Sequence, residues 1–212
     1  MSKLTPVLAL ALFGAAFAGP TDKLLSVLNA QGKTANVVTL TAGIGFPEVL
    51  TRPESFSLQD GMLTYVQKKD EKNNKVEITR CFPNVPIQIV ILESAKDGKK
   101  AITVTTVSEV TAGAPCSKTL EGVAKSQLAA ANNLVTFSVG GVTVFPKASF
   151  KIDFADGVIT VEGKNTAGDK VTILSVASLT SVRLDVDGAK DLKNVIFAGS
   201  LNTPVIAKKG LF

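Results

Sequence analysis

The chain has 212 residues, of which 45% are hydrophobic and 19% are charged. This composition is typical of a chain that buries a core, and it excludes disorder along the whole length. The formal net charge of +5 is too small for the basic footprint of a nucleic-acid-binding domain, so we expect no nucleic-acid partner.

Residues 1–18 have the pattern of a secretory signal peptide. Lys3 gives a positive start, residues 7–13 form a short apolar run, and Ala16-Phe17-Ala18 is a small-residue cleavage site, so Gly19 would begin the mature chain. The alternative is a membrane anchor, but the apolar run is shorter than the ~20 residues that a spanning helix needs. We therefore expect an exported protein of the periplasm, the cell envelope or the extracellular space.

The first part of the mature chain predicts one helix followed by β-structure. Residues 20–33 show helical spacing of apolar residues, with Thr21 as the expected N-cap and Gly32 at the end. Segments rich in Val, Ile and Thr then alternate with turn residues, which predicts antiparallel strands. The predicted strands are residues 36–40, 55–58, 62–67, 75–81, 87–92 and 101–110.

The second part repeats this plan. Residues 117–131 predict a helix that ends at Asn132 and Asn133. Asp156-Gly157, between two alternating apolar runs, is a strong hairpin signal because Gly accepts a positive φ at little cost. The predicted strands are residues 134–139, 141–145, 149–154, 158–162, 170–176, 181–186 and 194–198.

Short patterns recur in the same order in both parts. Asp60-Gly61-x-x-Thr64 corresponds to Asp156-Gly157-x-x-Thr160, and Lys75-Val76-x-Ile78 corresponds to Lys170-Val171-x-Ile173. The sequence thus predicts an α+β fold that is mostly antiparallel β. We expect two tandem helix-plus-antiparallel-sheet repeats of about 95 residues, packed as a pseudo-symmetric pair. The expected divisions are residues 1–18 (signal peptide), 19–115 (repeat 1) and 116–212 (repeat 2).

The two cysteines, Cys81 and Cys116, predict one disulfide, because an even number of cysteines in an exported chain favours pairing. Two free buried thiols are the alternative. A zinc site is disfavoured because structural zinc takes four ligands and the chain has no His. Such a bridge would connect the end of a strand in repeat 1 to the segment before the second helix.

The chain lacks the usual catalytic groups. Without His it has neither the commonest general base nor the commonest metal ligand. Two carboxylate pairs, Asp153 with Asp156 and Asp185 with Asp187, are the remaining acid–base candidates. Asp185 and Asp187 are also the candidates for a weak Ca²⁺ site, but exposed turn carboxylates are the preferred interpretation. We therefore predict no enzyme activity and no catalytic, cofactor-binding or metal-binding residues.

Two further patterns bear on binding. The lysines among residues 68–75 alternate with acids, which favours a solvated loop over a polyanion site. Seven phenylalanines lie on or beside the predicted strands, where they would fill a core or line a cavity for an apolar ligand. They are Phe46, Phe56, Phe137, Phe145, Phe150, Phe154 and Phe197.

These observations predict an exported, non-catalytic structural or interaction module of the cell envelope. It would bind an envelope or surface protein, as an accessory subunit of a surface assembly, without cofactor. The alternative hypothesis is a carrier of a lipid or other apolar molecule in a Phe-lined cavity. Neither hypothesis fixes an oligomeric state.

Overall fold

The computed structural model describes residues 19–42, 48–70, 73–108 and 115–202, which form two α-helices and thirteen strands. The predicted signal peptide and Phe46 lie outside the described residues. The helices are α1 (Pro20–Gly32) and α2 (Pro115–Ala130). The strands are β1 (Val37–Ala42), β2 (Glu48–Thr51), β3 (Pro53–Gln59), β4 (Met62–Lys68), β5 (Lys75–Cys81), β6 (Asn84–Glu93), β7 (Lys100–Ser108), β8 (Leu134–Ser138), β9 (Val142–Pro146), β10 (Lys151–Ala155), β11 (Val158–Lys164), β12 (Lys170–Asp187) and β13 (Leu192–Leu201).

The strands form two sheets. The four-stranded sheet has the order β2-β1-β7-β6. The nine-stranded sheet has the order β3-β4-β5-β12-β13-β8-β9, and β11 joins β10 to it by pairing with β12. The α+β class with mostly antiparallel strands is thus confirmed. Of the described helices, none combines the length and the apolar character needed to cross a membrane.

Two strand pairs are parallel, which the sequence analysis did not predict. β1 runs parallel to β7, and β8 runs parallel to β13. Parallel partners need a long crossover between them, so no tight-turn residues mark the pairing in the sequence. The antiparallel hairpins, by contrast, are closed by short turns that composition reveals.

The hairpin turns form as predicted. Asp60 and Gly61 have φ values of 51° and 70°, and Asp156 and Gly157 have φ values of 53° and 75°. Positive φ at both central residues is characteristic of the type I′ turn, whose twist matches that of the flanking strands.

The start of α1 differs from the expectation. Gly19 is the N-cap and Pro20 occupies the first helical position, while the Asp22 carboxylate accepts a hydrogen bond of 2.8 Å from the Gly19 N–H. Thr21 is therefore inside the helix. Proline favours the first turn because its missing N–H would have no partner there.

The longest strand, β12, joins two predicted strands. Residues 170–176 and 181–186 were expected as separate elements, but they are continuous within Lys170–Asp187. The first part of β12 pairs with β11, and the second part pairs with both β5 and β13. A register shift between Leu179 and Ser181 marks a bulge between these parts. Bulges increase the local bend and twist of a strand, which allows β12 to change partners.

Each helix covers its own hydrophobic core. Around α1, Leu28 packs with a cluster that includes Phe56 and Leu63; around α2, Leu120 packs with a cluster that includes Phe197. Phe150 contacts two other rings of the α2 cluster, at centroid distances of 5.3 Å to Phe145 and 5.9 Å to Phe197. Phe137 belongs to that cluster as well, and Phe154 packs against it. The described phenylalanines of the predicted set therefore fill cores.

Strand pairing follows the same scheme before and after α2. β1 pairs with β2 and β7 as β8 pairs with β9 and β13, and the ladder β3-β4-β5 has its counterpart in β10-β11-β12. β6 carries a bulge between Pro86 and Gln88 where it pairs with β7, as β12 does between Leu179 and Ser181 where it pairs with β13.

Two side-chain contacts also recur. The Lys100 N–H donates a hydrogen bond of 2.9 Å to the side chain of Asn36, which precedes β1. The Lys193 N–H donates one of 2.8 Å to the side chain of Asn132, which precedes β8. In both places an asparagine side chain, one residue before β1 and two residues before β8, accepts a hydrogen bond from the start of that strand's parallel neighbour.

Candidate functional site

The two parts of the chain meet where β5 pairs with β12. The antiparallel ladder runs from Arg80 opposite Ser181 to Lys75 opposite Val186. α2 packs on β5, and Met62 and Cys81 contact the α2 core. Thr79, in the middle of β5, is only 7% exposed as a result. This ladder makes one continuous sheet from strands that belong to different parts of the sequence.

The disulfide predicted from the sequence lies at the same junction. Cys81, the last residue of β5, is bonded to Cys116 in the first turn of α2, with their Cα atoms 5.8 Å apart. The bond therefore ties the end of a strand of the first part to the helix that covers the second core. Both cysteines are used by this bond, and neither is a free thiol.

A cleft of about 1140 Å³ opens beside the disulfide. The start of α1, the β3–β4 turn, the segment between β5 and β6 and the start of α2 form its walls. Leu25, Leu58, Met62, Phe82 and Val85 give it apolar surface, while polar lining residues include Asp22, Asp60 and Thr119. Its aromatic lining residue is Phe82, whereas the described members of the predicted Phe set lie in or against the cores.

A partly buried ion pair, which no sequence pattern predicts, lies next to this junction. Arg80 Nη1 is 2.7 Å from Glu48 Oε2, an oxygen with almost no solvent-accessible surface, and the guanidinium lies 5.6 Å from the centroid of the Phe82 ring. Burial raises the pKa of the nearby Tyr65 above 10.0, and the negative charge of Glu48 raises it further, whereas Arg80 lowers it. Glu48 and Arg80 lie on strands of different sheets, so no sequence pattern connects them.

The carboxylates of the Asp185–Asp187 pair have structural roles. Arg183 holds Asp185 with two hydrogen bonds of 2.7 and 3.0 Å, and Lys69 lies 3.9 Å from the same carboxylate. Asp187 accepts hydrogen bonds from the Ala189 and Lys190 N–H groups and so stabilises the following turn. The two carboxylates are thus engaged by different partners.

The other pair is divided between a strand and a turn. Asp153 lies on β10 at an exposed position, and Asp156 occupies the positive-φ position of its hairpin turn. In the described ranges, no group of three or more acidic, Cys or His side chains is placed to hold a metal ion.

The lysine-rich loop contacts the second part of the chain. The Gly188 N–H donates a hydrogen bond of 2.9 Å to the Asn74 side chain, close to the contact between Lys69 and Asp185. Lys75 pairs with Glu77 at 2.9 Å, and this hydrogen bond raises the pKa of Lys75. The described part of the loop therefore combines exposed lysines with contacts that join the two parts.

Of the described edge strands, β6 carries the most exposed apolar residues. β6 is the last strand of the four-stranded sheet, and Val90 and Leu92 are 51% and 67% exposed. Ile87 and Ile91 of the same strand are exposed too. On the first part of β12, Leu174 is 71% exposed. Exposed apolar strand edges are templates for pairing with another strand.

No family model, no curated protein and no solved structure matches this chain.

Removing the disulfide tests its contribution to stability. We expect the double variant Cys81→Ala/Cys116→Ala to lose about 2–4 kcal/mol of unfolding free energy, because the bond closes a loop with a sequence separation of 35 residues. Chemical denaturation followed by circular dichroism measures the loss. Reductant should destabilise the unsubstituted chain and leave the variant unchanged; equal stability of the two proteins would contradict the prediction.

The titration of Tyr65 tests the ion pair between Glu48 and Arg80 directly, because Tyr65 is the single tyrosine and the chain has no Trp. Glu48→Gln should lower the pKa of Tyr65 and Arg80→Gln should raise it, since the two charges act on the phenolate with opposite sign. Tyrosinate absorbance during an alkaline titration measures both shifts, with the denatured chain as the reference.

The same group links stability to pH. Because the pKa is higher in the folded protein, the unfolding free energy should fall as the pH rises through and above 10.0. A pKa that stays unchanged in Glu48→Gln would show that the carboxylate does not act on Tyr65.

Proposed function

We propose that the chain is an exported, non-catalytic structural or interaction module of the cell envelope, which binds a protein partner through its strand edges. The observation that carries this proposal is the outer edge of β6, where exposed Val90, Ile91 and Leu92 lie along a strand without a partner on that side among the described residues. A partner strand added there would satisfy the backbone groups and cover the apolar side chains.

The proposed location outside the cytoplasm rests on two features. The pattern of residues 1–18 is that of a secretory signal peptide. The disulfide between Cys81 and Cys116 fits an oxidising compartment, since disulfides are rare where glutathione and thioredoxin keep thiols reduced. Together they support the periplasm, the envelope or the extracellular space.

The module is a tandem duplication in this proposal, with residues 19–115 and 116–212 as its two repeats. The common pairing scheme, the bulges in β6 and β12, and the two asparagine contacts support it. The β5–β12 ladder, which joins the two parts in one sheet, supports their packing together as a pair of repeats. Features common to both repeats then serve as scaffold, and recognition resides in the features that differ.

A structural role also accounts for the polar groups. Asp185 is held by Arg183, and Asp187 stabilises a turn, so neither carboxylate is set up for proton transfer to a substrate. A non-catalytic module needs no such group.

Purification from native envelopes tests the proposal. After mild cross-linking, the tagged chain should be recovered in a complex larger than itself. Val90→Lys/Leu92→Lys should release it, because charged residues on an edge oppose strand addition. The matched control is Val142→Lys, at a residue 71% exposed on β9, which should keep the complex. Recovery of the unsubstituted chain only as a free monomer would contradict the proposal.

The cleft beside the disulfide favours a second candidate function, a carrier of a lipid or other apolar molecule. Its volume of about 1140 Å³ is slightly above the ~300–1,000 Å³ typical of small-molecule sites, so a molecule of that class fits, and Leu25, Met62 and Phe82 provide apolar contact. The cleft takes the place of the Phe-lined cavity expected from the sequence.

Filling the cleft tests this candidate. Thr119→Trp puts an indole at the α2 wall and should abolish binding of a fluorescent fatty acid, while Lys125→Trp, at an exposed residue farther along α2, should retain it. Native mass spectrometry of the purified chain should also detect a bound apolar molecule. The absence of both a bound molecule and probe binding would exclude the carrier function.

A further inference from the structure

We propose that the chain binds a second copy of itself head to tail, with β6 of one copy added antiparallel to the first part of β12 in the next. This inference deepens the proposed function, on which it rests, because it names the partner of the β6 edge. Three features of the molecule support it: the open strand edges, a strand pair already present within the chain, and the side chains that the pairing would bring together.

The open edge of β12 follows from the ladders around Val176. Val176 pairs with Val158 of β11, and its carbonyl oxygen accepts a hydrogen bond of 2.8 Å from the N–H of Asn202, which follows β13. Because a strand has one partner along each edge, β11 and β13 lie on opposite edges of β12. The ladder with β13 extends no further than Ala177 opposite Leu201. On the β13 side, residues 170–175 thus have no partner strand within the described ranges; we call them the β12 edge.

The β5–β12 ladder is the template for the new contact. β5 corresponds to the first part of β12, because each is the last strand of a three-stranded ladder with β4 or β11. β6 corresponds to the second part of β12, because each pairs with β7 or β13 and carries the same bulge. The chain therefore forms one of two equivalent junctions internally, between β5 and the second part of β12. The equivalent second junction would join the first part of β12 to β6, and these are the two strands whose edges are open.

Transferring the register of the template places residues in specific pairs. Lys75 lies opposite Val186 in the template, and the corresponding residues, Lys170 and Glu93, would lie opposite each other in the new contact. In the same way, the template pair Glu77–Leu184 corresponds to Thr172 opposite Ile91. The first new pair joins opposite charges. It also offsets the like charges of Lys164 and Lys170, which face each other across the β11–β12 ladder.

The apolar side chains also match on both faces of the extended sheet. On one face, exposed Val90 and Leu92 come opposite Ile173 and Val171, which pack against the α2 core. On the other face, Leu174 comes opposite Ile89, which packs against the α1 core. Residues directly opposite in a ladder point to the same face, so each contact extends a hydrophobic surface that one copy already has.

The exposure of Leu174 follows from the same correspondence. Its counterpart in the first repeat is Thr79, since Thr64 faces Thr79 in β4–β5 as Thr160 faces Leu174 in β11–β12. α2 packs on β5 and leaves Thr79 7% exposed, whereas Leu174 is 71% exposed. In the head-to-tail contact, α1 of the added copy, which packs on its own β6, takes the position of α2 and covers Leu174.

The contact uses different surfaces on the two copies, so it is heterologous. After two copies pair, one still has an open β6 edge and the other an open β12 edge. Further copies can therefore add until a ring closes or a filament forms.

A disulfide-trapping experiment tests the register. Two forms of the mature chain with the native disulfide intact carry Thr172→Cys or Ile91→Cys, both at exposed positions. After mixing and mild oxidation, we expect a covalent dimer that contains one of each form, at least tenfold more abundant than the dimers formed by either alone. Isotope labelling of one form identifies the chains by mass.

Two results would overturn the proposal. One is the absence of a mixed dimer. The other is an equally abundant dimer of Ile91→Cys with itself, which would show that two β6 edges pair symmetrically. The matched control, Thr172→Cys mixed with Gln88→Cys, places the second thiol three positions out of register at another exposed residue and should give no dimer.

Charge reversal tests the Lys170–Glu93 contact without altering the core. Adding Glu93→Lys to the Ile91→Cys chain should lower the dimer yield several-fold, and adding Lys170→Glu to its Thr172→Cys partner should restore it. A loss that the second reversal does not restore would overturn the register.

Truncation and the envelope experiment separate the remaining outcomes. A chain ending at Asn202 should give the same yield; dimers that form only after this truncation would show that residues 203–212 occupy the β12 edge, and would overturn the proposal. If Val90→Lys/Leu92→Lys abolishes the envelope complex while no mixed dimer forms, the proposed function stands and the self-association fails. If the mixed dimer forms but the chain is recovered from envelopes as a free monomer, the self-association stands and the proposed function fails.

Discussion

The structure depends on the antiparallel ladder between β5 and β12. Six residue pairs, from Arg80–Ser181 to Lys75–Val186, make one sheet out of strands that are about a hundred positions apart in the chain. Without it, the two helices would cover separate, smaller groups of strands, and small domains bury a smaller fraction of their surface. α2 and the disulfide both act at this ladder: the helix packs across β5, and the Cys81–Cys116 bond fixes the end of that strand to the helix.

The proposed repeats differ most at the point where this ladder is made. In the second repeat, β12 continues through a bulge from one ladder to the next. In the first repeat, the β-structure is interrupted at Phe82 and Pro83, between β5 and β6, and these two strands belong to different sheets. Proline has no N–H to contribute to a ladder, which favours a break. This interruption frees β6 as an edge and opens the cleft that Phe82 lines.

Local signals in the sequence predicted much of the scaffold. The Asp-Gly hairpins and the two helices form where the patterns indicated, because turn residues and apolar periodicity act over short distances. The disulfide could be predicted because the chain has two cysteines, which leaves one possible pairing. The parallel β1–β7 and β8–β13 pairs were not predicted, since the residues that pair lie far apart and no turn connects them directly. Contacts between distant charged residues, such as Glu48 with Arg80, are invisible for the same reason. The division of β12 into two strands was wrong because the residues between them bend the strand without ending it.

The continuity of β12 has a mechanical consequence. At about 3.3 Å per residue, its 18 residues span at most ~60 Å as a single extended segment. Tension applied along this strand acts on a backbone that is already close to fully extended, so β12 can lengthen little. The ladders on its two sides are then loaded parallel to the strand, in shear, and their hydrogen bonds share the force instead of breaking one after another. One unbroken strand of this kind gives the sheet resistance to extension along its length.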